Sequence, residues 1–281
     1  MGIRPDAALL DAMQRRATAT AGAFKPEEVE SLVRVIAKMG VRPDKELLET
    51  MQGRAAATAG DFKPEDLASI VWAIAKMGVK PDAGLLEAMQ ERVTATAGDL
   101  IPQNISHLLR TFSDLDVRPA AGLLEAIQAR AVATADDFKP QEVANVVRSF
   151  AEMGIRPEAA LLEAMQRRAT AAAGDFKPRD VAGLVWAIAK MGIKEPDAGL
   201  LEAMQGRAMA TAGVFQAGAV SDLVWGFAKM GVTPEAGLLE AMRQRATAKK
   251  RDFKADELVS LMWAFAQTGV KPGPALIDAL R

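Results

Sequence analysis

Cysteine and tyrosine are missing from the 281 residues altogether, and histidine occurs once, at His107. Without a thiol there is no disulfide framework, no thiolate nucleophile and no Cys-type zinc site. One imidazole leaves no second histidine to share a metal or to pair with a nucleophile. Aromatics make up only 5% of the chain, although half of it is hydrophobic and alanine supplies much of that half. Such small residues suit close helix–helix packing better than a thick sheet core. No apolar run approaches the ~20 residues that a bilayer-spanning helix needs, so no membrane partner is expected. The formal charge of −1 does not by itself announce a nucleic-acid binder. The glycines form no phosphate loop of Walker or Rossmann type. No unique pair of carboxylates breaks the pattern to serve general acid–base work. The expectation is a non-enzyme with no cofactor, no metal and no small-molecule substrate.

What the chain does contain is repetition. Leu67–Pro81 reads LASIVWAIAKMGVKP, Val181–Pro196 reads VAGLVWAIAKMGIKEP, Val29–Pro43 reads VESLVRVIAKMGVRP, and Val220–Pro234 reads VSDLVWGFAKMGVTP. The prolines Pro5, Pro43, Pro81, Pro119, Pro157, Pro196, Pro234 and Pro272 lie 38 residues apart, except for one interval of 39 that holds the extra Glu195. A fixed period of this size marks a repeat array. It overrides the length prior of two globular domains in favour of one array over residues 1–281. The repeats run from about 5–42, 43–80, 81–118, 119–156, 157–195, 196–233 and 234–271, with a truncated unit at 272–281. The chain opens in repeat phase at Met1-Gly2-Ile3-Arg4-Pro5. The expectation is a mature array or a trimmed fragment with no transit peptide.

One repeat reads as two helices, A and B. Pro5 has the fixed φ that suits a first helical turn, and Leu9, Leu10, Met13, Ala17 and Ala21 keep helical spacing on one face. Gly22 stands where a left-handed residue would stop helix A. Phe24-Lys25-Pro26 then starts helix B, with Lys25 as N-cap and Pro26 at the first helical position. Phe24 and Val29 form a hydrophobic staple, and Glu28 meets the positive end of the helix dipole. Helix B runs to Met39 and stops at Gly40. Gln216–Ala219 is the weakest of the B starts. Helices this short are unstable alone. The fold expected is all-α: a right-handed α-solenoid, or superhelix, of tandem 38-residue helix-turn-helix repeats.

Aligning the repeats with one another separates structural columns from variable ones. On helix B, Val29, Leu32, Val33, Ile36 and Met39 fall on the buried side. The opposite side carries two variable columns one turn apart. The first is Glu27, Glu65, Gln103, Gln141, Arg179, Gly218 and Asp256; the second is Ser31, Ser69, His107, Asn145, Gly183, Asp222 and Ser260. Each repeat thus presents an i, i+4 pair of mostly hydrogen-bonding residues. The pairs read either as drifting solvent positions or as base-reading residues of a modular single-strand reader. The next column is flat throughout: Arg34, Trp72, Arg110, Arg148, Trp186, Trp225 and Trp263. Tryptophan and arginine both stack on bases, and both can fill a half-buried groove between neighbouring B helices. One turn on, Lys38, Lys76, Lys190 and Lys229 could meet phosphates, whereas Asp114, Glu152 and Gln267 break the pattern.

Helix A repeats an arginine at 16, 54, 92, 130, 168, 207 and 245 and an acid at Asp11, Glu49, Glu87, Glu125, Glu163, Glu202, Glu240 and Asp278. Invariant columns cannot read sequence; an inter-repeat ion pair or dipole contact is expected of the arginine. The B segments with their flanking loops sum to +6 and the remainder to −7, a mild segregation of charge between the layers.

The period, the paired helices and LASIVWAIAKMG resemble the octotricopeptide repeat family. Pro140-Gln141-Glu142-Val143-Ala144-Asn145 and Pro102-Gln103-Asn104-Ile105 are similar to the front of that family's signature, and Leu67–Gly78 and Val181–Gly192 to its back. The resemblance implies sequence-specific binding of single-stranded RNA, in the stabilisation, processing or translation of organellar, notably chloroplast, transcripts. On that reading the pairs at 27/31 and their equivalents face base edges, the Trp/Arg column stacks and the lysines meet phosphates. The alternative is a protein–protein interaction scaffold that binds a peptide or helix partner.

Overall fold

The computed structural model describes residues 6–193 and 196–278. Pro5 and Glu195, singled out above, lie outside them. The helices come in chain order as pairs: α1 (Ala7–Thr20) with α2 (Pro26–Met39), α3 (Lys45–Ala57) with α4 (Pro64–Lys76), and α5 (Ala83–Ala95) with α6 (Pro102–Asp114). Then follow α7 (Ala121–Ala133) with α8 (Pro140–Glu152), α9 (Ala159–Ala171) with α10 (Pro178–Lys190), and α11 (Ala198–Ala210) with α12 (Ala217–Met230). The last are α13 (Ala236–Ala248) with α14 (Ala255–Gln267), and the short α15 (Pro274–Ile277). The protein is all-α, with no strand among the described residues. Its contacts divide it into two compact units, Met1–Arg130 and Ala131–Arg281. Within each unit, helices pack in sequence order, A on A and B on B: α2 on α4 on α6 in the first, and α8 on α10 on α12 on α14 in the second.

Helix B starts and stops where local chemistry dictates. Lys25 is the extended N-cap, Pro26 the first helical residue, and the Glu28 carboxylate accepts from the Lys25 N–H at 2.8 Å. The staple residues Phe62, Phe138, Phe176 and Phe215 are fully buried. Gly40 closes α2 at φ 63°, a left-handed conformation that glycine adopts without a Cβ penalty. Among the described residues, Asp116 alone takes that position without being glycine, at φ 53°. Even α12, whose start lacks proline, begins in register at Ala217.

Two expectations about helix A are corrected. Pro43 and Pro81 do not lie in the first turn; they precede the N-caps Asp44 and Asp82. Those aspartates accept from the Leu47 and Leu85 N–H groups at 2.7 Å and cap α3 and α5, whereas α9 and α13 start in the same register behind Glu158 and Glu235 with no side-chain cap bond. Nor is Gly22 left-handed, since it is absent from the positive-φ residues. Helix A instead tightens into a 3₁₀ turn, Ala21–Ala23, whose i to i+3 bonds take up the last carbonyls.

The B helices approach one another through small residues. Ala68, Ser106, Ala144, Ala182 and Ser221 on one flank, and Ala73, Thr111, Ser149, Ala187, Gly226 and Ala264 on the other, are all buried. At Gly226 a Cβ would lie 2.8 Å from Val185 Cγ1 and 3.0 Å from the Val185 carbonyl carbon and oxygen. Nothing but glycine lets α12 sit this close to α10.

Two ladders tie consecutive repeats together. The helix A arginine donates through Nε to the backbone carbonyl that precedes helix B in the repeat before it: Arg92 to Phe62 (3.0 Å), Arg130 to Leu100 (2.7 Å), Arg168 to Phe138 (2.7 Å), Arg207 to Phe176 (2.6 Å) and Arg245 to Phe215 (2.6 Å). Arg54 reaches Phe24 through both Nε and Nη2. The arginine is therefore an inter-repeat hydrogen-bond donor to backbone, where an ion pair or dipole contact was expected; the recurring acids remain exposed. In the opposite sense, Gln52 Oε1 accepts from the Asp82 N–H (2.8 Å), Gln90 from Ala120 (2.6 Å) and Gln166 from Asp197 (3.0 Å). Glutamine recurs at 14, 52, 90, 128, 166 and 205 and gives way only at Arg243, so the period carried a signal for this ladder that the reading above did not use.

Candidate functional site

All the singled-out side chains belong to helices B. In the first variable column, Glu27, Gln103, Gln141, Arg179 and Asp256 are exposed, while Glu65 and Gly218 are half-buried. In the second, Ser31 is exposed, Ser69, His107, Asn145, Asp222 and Ser260 are half-buried, and Gly183 is buried. Arg34, Arg110 and Trp263 of the flat column are exposed; Trp72, Arg148, Trp186 and Trp225 are half-buried. Lys38, Lys76, Lys190 and Lys229 are exposed. The first variable column is thus mostly exposed, whereas the second and the flat column are mostly half-buried.

In the first unit, Lys76 Nζ lies 5.8 Å from the centre of the Trp72 ring, a cation–π contact within its own repeat. Arg34 pairs with Glu30 at 2.8 Å and Arg110 with Asp114 at 3.5 Å. Glu65 accepts from Asn104 Nδ2 of the next repeat at 3.2 Å. Burial, and then the neighbouring Arg110 charge, hold the His107 imidazole below its ordinary 6.5, which favours its neutral form.

The second unit brings the flat column together. The Arg148 guanidinium lies 4.7 Å from the Trp186 ring centre, and the Trp186 and Trp225 centroids are 6.4 Å apart with a 36° tilt. Flat groups of three successive repeats therefore cover one another. Trp263, 40% exposed, is the tryptophan most open to a ligand. Lys190 Nζ sits 5.9 Å from the Trp186 ring.

Arg148 is anchored twice. Its Nε donates to Glu152 Oε1 at 2.7 Å, and its Nη1 to Asp222 Oδ2 at 3.3 Å, across 74 residues of sequence. Burial alone would lower this guanidinium, but its bonds to Glu152 and Asp222 outweigh that and hold it above the ordinary arginine value. Burial raises the Asp222 carboxyl above 3.8, with Arg148 acting against the rise. Both directions follow from a bridge partly withdrawn from water.

These pairings account for the breaks in the lysine column at Asp114 and Glu152, while nothing in the structure explains Gln267 beside Trp263. Where tryptophan gives way to arginine at 110 and 148, the residue one turn on becomes Asp114 or Glu152 and binds that arginine. The i, i+4 relation was visible in the sequence, and the paired exchange was its signal. Lys38, Lys76, Lys190 and Lys229 have no carboxylate partner among the described residues, and so remain available to an anion.

Among the described residues no group of histidines and acids could hold a metal, and no helix is long and apolar enough to cross a membrane. Residues 3–235 match the model of one protein family, described as RNA-editing substrate-binding complex 6 protein. No curated protein matches the sequence.

Proposed function

The chain belongs to the RNA-editing substrate-binding complex 6 protein family, and on that premise we propose that it binds single-stranded RNA along its B helices without catalysis. The observation that carries this reading is the run of flat side chains Arg148, Trp186 and Trp225 in the second unit, with lysines beside the tryptophans that no carboxylate engages among the described residues. Trp72, Trp186 and Trp225 each have a lysine one turn on, at Lys76, Lys190 and Lys229. Aromatic faces with nearby cations are the means by which single strands are held without a duplex groove. The exposed polar residues Gln103 and Gln141 on the B helices suit base edges, which are accessible in unpaired RNA.

The octotricopeptide-like signature supports organellar transcripts as the target class, with the chloroplast as the compartment; fractionation of cells tests that placement. The family description names a complex, and protein partners belong to this proposal as well. A groove of about 610 Å³ beside α1 and α2, lined by residues such as Met13, Leu32, Val35 and Met39, supports a protein contact there.

Binding to a randomised single-stranded RNA pool at two salt concentrations tests the main reading. An enriched motif whose affinity falls with salt is the expected result. Salt-sensitive binding with no motif leaves a general RNA clamp. No binding at low salt refutes RNA binding and leaves the protein scaffold.

A further inference from the structure

The reading pairs of two repeats do not stand free. In the fifth repeat the second variable position is Gly183, which has no side chain to offer. A Cβ built there would lie 3.6 Å from Arg148 Nη1. The guanidinium of Arg148, carried on α8, therefore extends to the position on α10 that serine, histidine, asparagine or aspartate fills in other repeats. In the sixth repeat, Gly218 likewise has no side chain, and a Cβ there would meet Glu257 Oε1 at 2.8 Å. Asp222, its partner, is spent on holding Arg148 at 3.3 Å. Three B helices thus assemble one polar group out of what the repeat pattern would count as separate readers.

That group is held in place before any ligand arrives. Trp186 supports the guanidinium from one side, Glu152 fixes Nε and Asp222 fixes Nη1. Of the five N–H donors of an arginine, these two bonds use two, and the second Nη1 hydrogen and both Nη2 hydrogens remain. The Arg148 side chain is 36% exposed, and among the described residues no side-chain nitrogen without a partner is buried, so Nη2 meets solvent. Fixed planar N–H groups that cannot accept a hydrogen bond select an edge bearing two adjacent acceptors. Guanine presents such an edge in O6 and N7, whereas adenine sets a donor beside N7.

We infer that Arg148, clamped by Glu152 and Asp222 over Gly183, is a guanine-reading residue that serves the fourth to sixth repeats together. The inference rests on the RNA-binding reading above and deepens it. It also shortens the expected motif, because the fifth and sixth repeats have no independent variable pair.

The test selects motifs from a randomised single-stranded RNA pool with the full chain and three variants, Arg148→Lys, Asp222→Asn and Gly183→Asn. Circular dichroism melting establishes that each is folded. The native chain is expected to enrich guanine at one position. Arg148→Lys keeps the charge but loses the fork, so guanine preference there falls about tenfold or more while the other positions persist. Asp222→Asn weakens the same position by removing the negative charge that holds Nη1. Gly183→Asn places a competing side chain beside an intact arginine and changes the base preferred there alone. Guanine preference retained in Arg148→Lys, cytosine enriched in place of guanine, or RNA binding with no position altered in any variant would overturn the inference and leave RNA binding standing. Failure of the native chain to bind RNA would overturn both.

Discussion

Replacing Arg207 by alanine probes what joins one repeat to the next. Its Nε donates at 2.6 Å to the carbonyl of Phe176, a residue with no exposed surface, at the start of the preceding helix B. The substitution removes a charge-assisted bond and leaves a part-buried carbonyl without that donor. Such a bond contributes about 1.5–3 kcal/mol, and an orphaned buried acceptor costs a similar amount; these describe one loss and are not summed. A destabilisation of about 2 kcal/mol is expected, or a fall in Tm of about 4–8 °C for a unit of this size. Thermal melting followed by tryptophan fluorescence reports mainly on the same unit, which contains Trp186, Trp225 and Trp263, and a Trp72→Phe background removes the signal of the other unit. Glu202→Ala is the matched control: the carboxylate is exposed, and its loss should change stability by less than about 0.5 kcal/mol. An equal fall in both variants would indicate the ion pair that the geometry excludes. A fall below about 1 °C for Arg207→Ala would refute the ladder as a stabilising element.

Gly226→Ala forces a Cβ against the Val185 backbone, and overpacking of about 1–3 kcal/mol outweighs the roughly 1 kcal/mol that alanine contributes to helix propensity; a lower Tm is expected. Gly206→Ala, with open space around it in α11, should raise Tm in the same assay. If Lys38, Lys76, Lys190 and Lys229 supply the phosphate contacts, log K against log salt should have a slope of about −3, and a slope near −5 would mean that the paired arginines contribute too. His107, held below 6.5, favours the fold when neutral. Its contribution is fully present above the unfolded value and is lost as pH falls through the folded value, so His107→Gln should flatten the pH dependence of Tm between about pH 7 and 5.

Repetition itself is a local property, and so it was legible in the sequence. Pro26 and Glu28 start α2, Gly40 ends it, and neither depends on distant residues. The division into A and B helices and their stacking follow from the 38-residue period and helical spacing, but the half-burial of the second variable column and the burial of Gly183 do not, because spacing set them opposite the core. Pro43 also fell outside its helix, as Pro157 and Pro234 do with or without a side-chain cap after them, and Gly22 did not end its helix because a 3₁₀ turn had already taken the free carbonyls.

The partners of the regular columns were settled only by tertiary structure. An arginine recurring in every helix A is compatible with an acid, a dipole or a carbonyl, and only the stacking distance places Phe176 O within reach of Arg207. The i, i+4 exchange of lysine for acid beside Arg110 and Arg148 could be read from one helix. The reach of Arg148 across α10 to Asp222 could not, because it needs three helices brought close by Gly183, Ala187 and Gly226. The sequence by itself determined the repeat and its surfaces, since periodicity, caps and spacing act within a few residues. Which surface groups remain free and which are bound to one another was decided by the crossing of the B helices, a property that no single repeat contains.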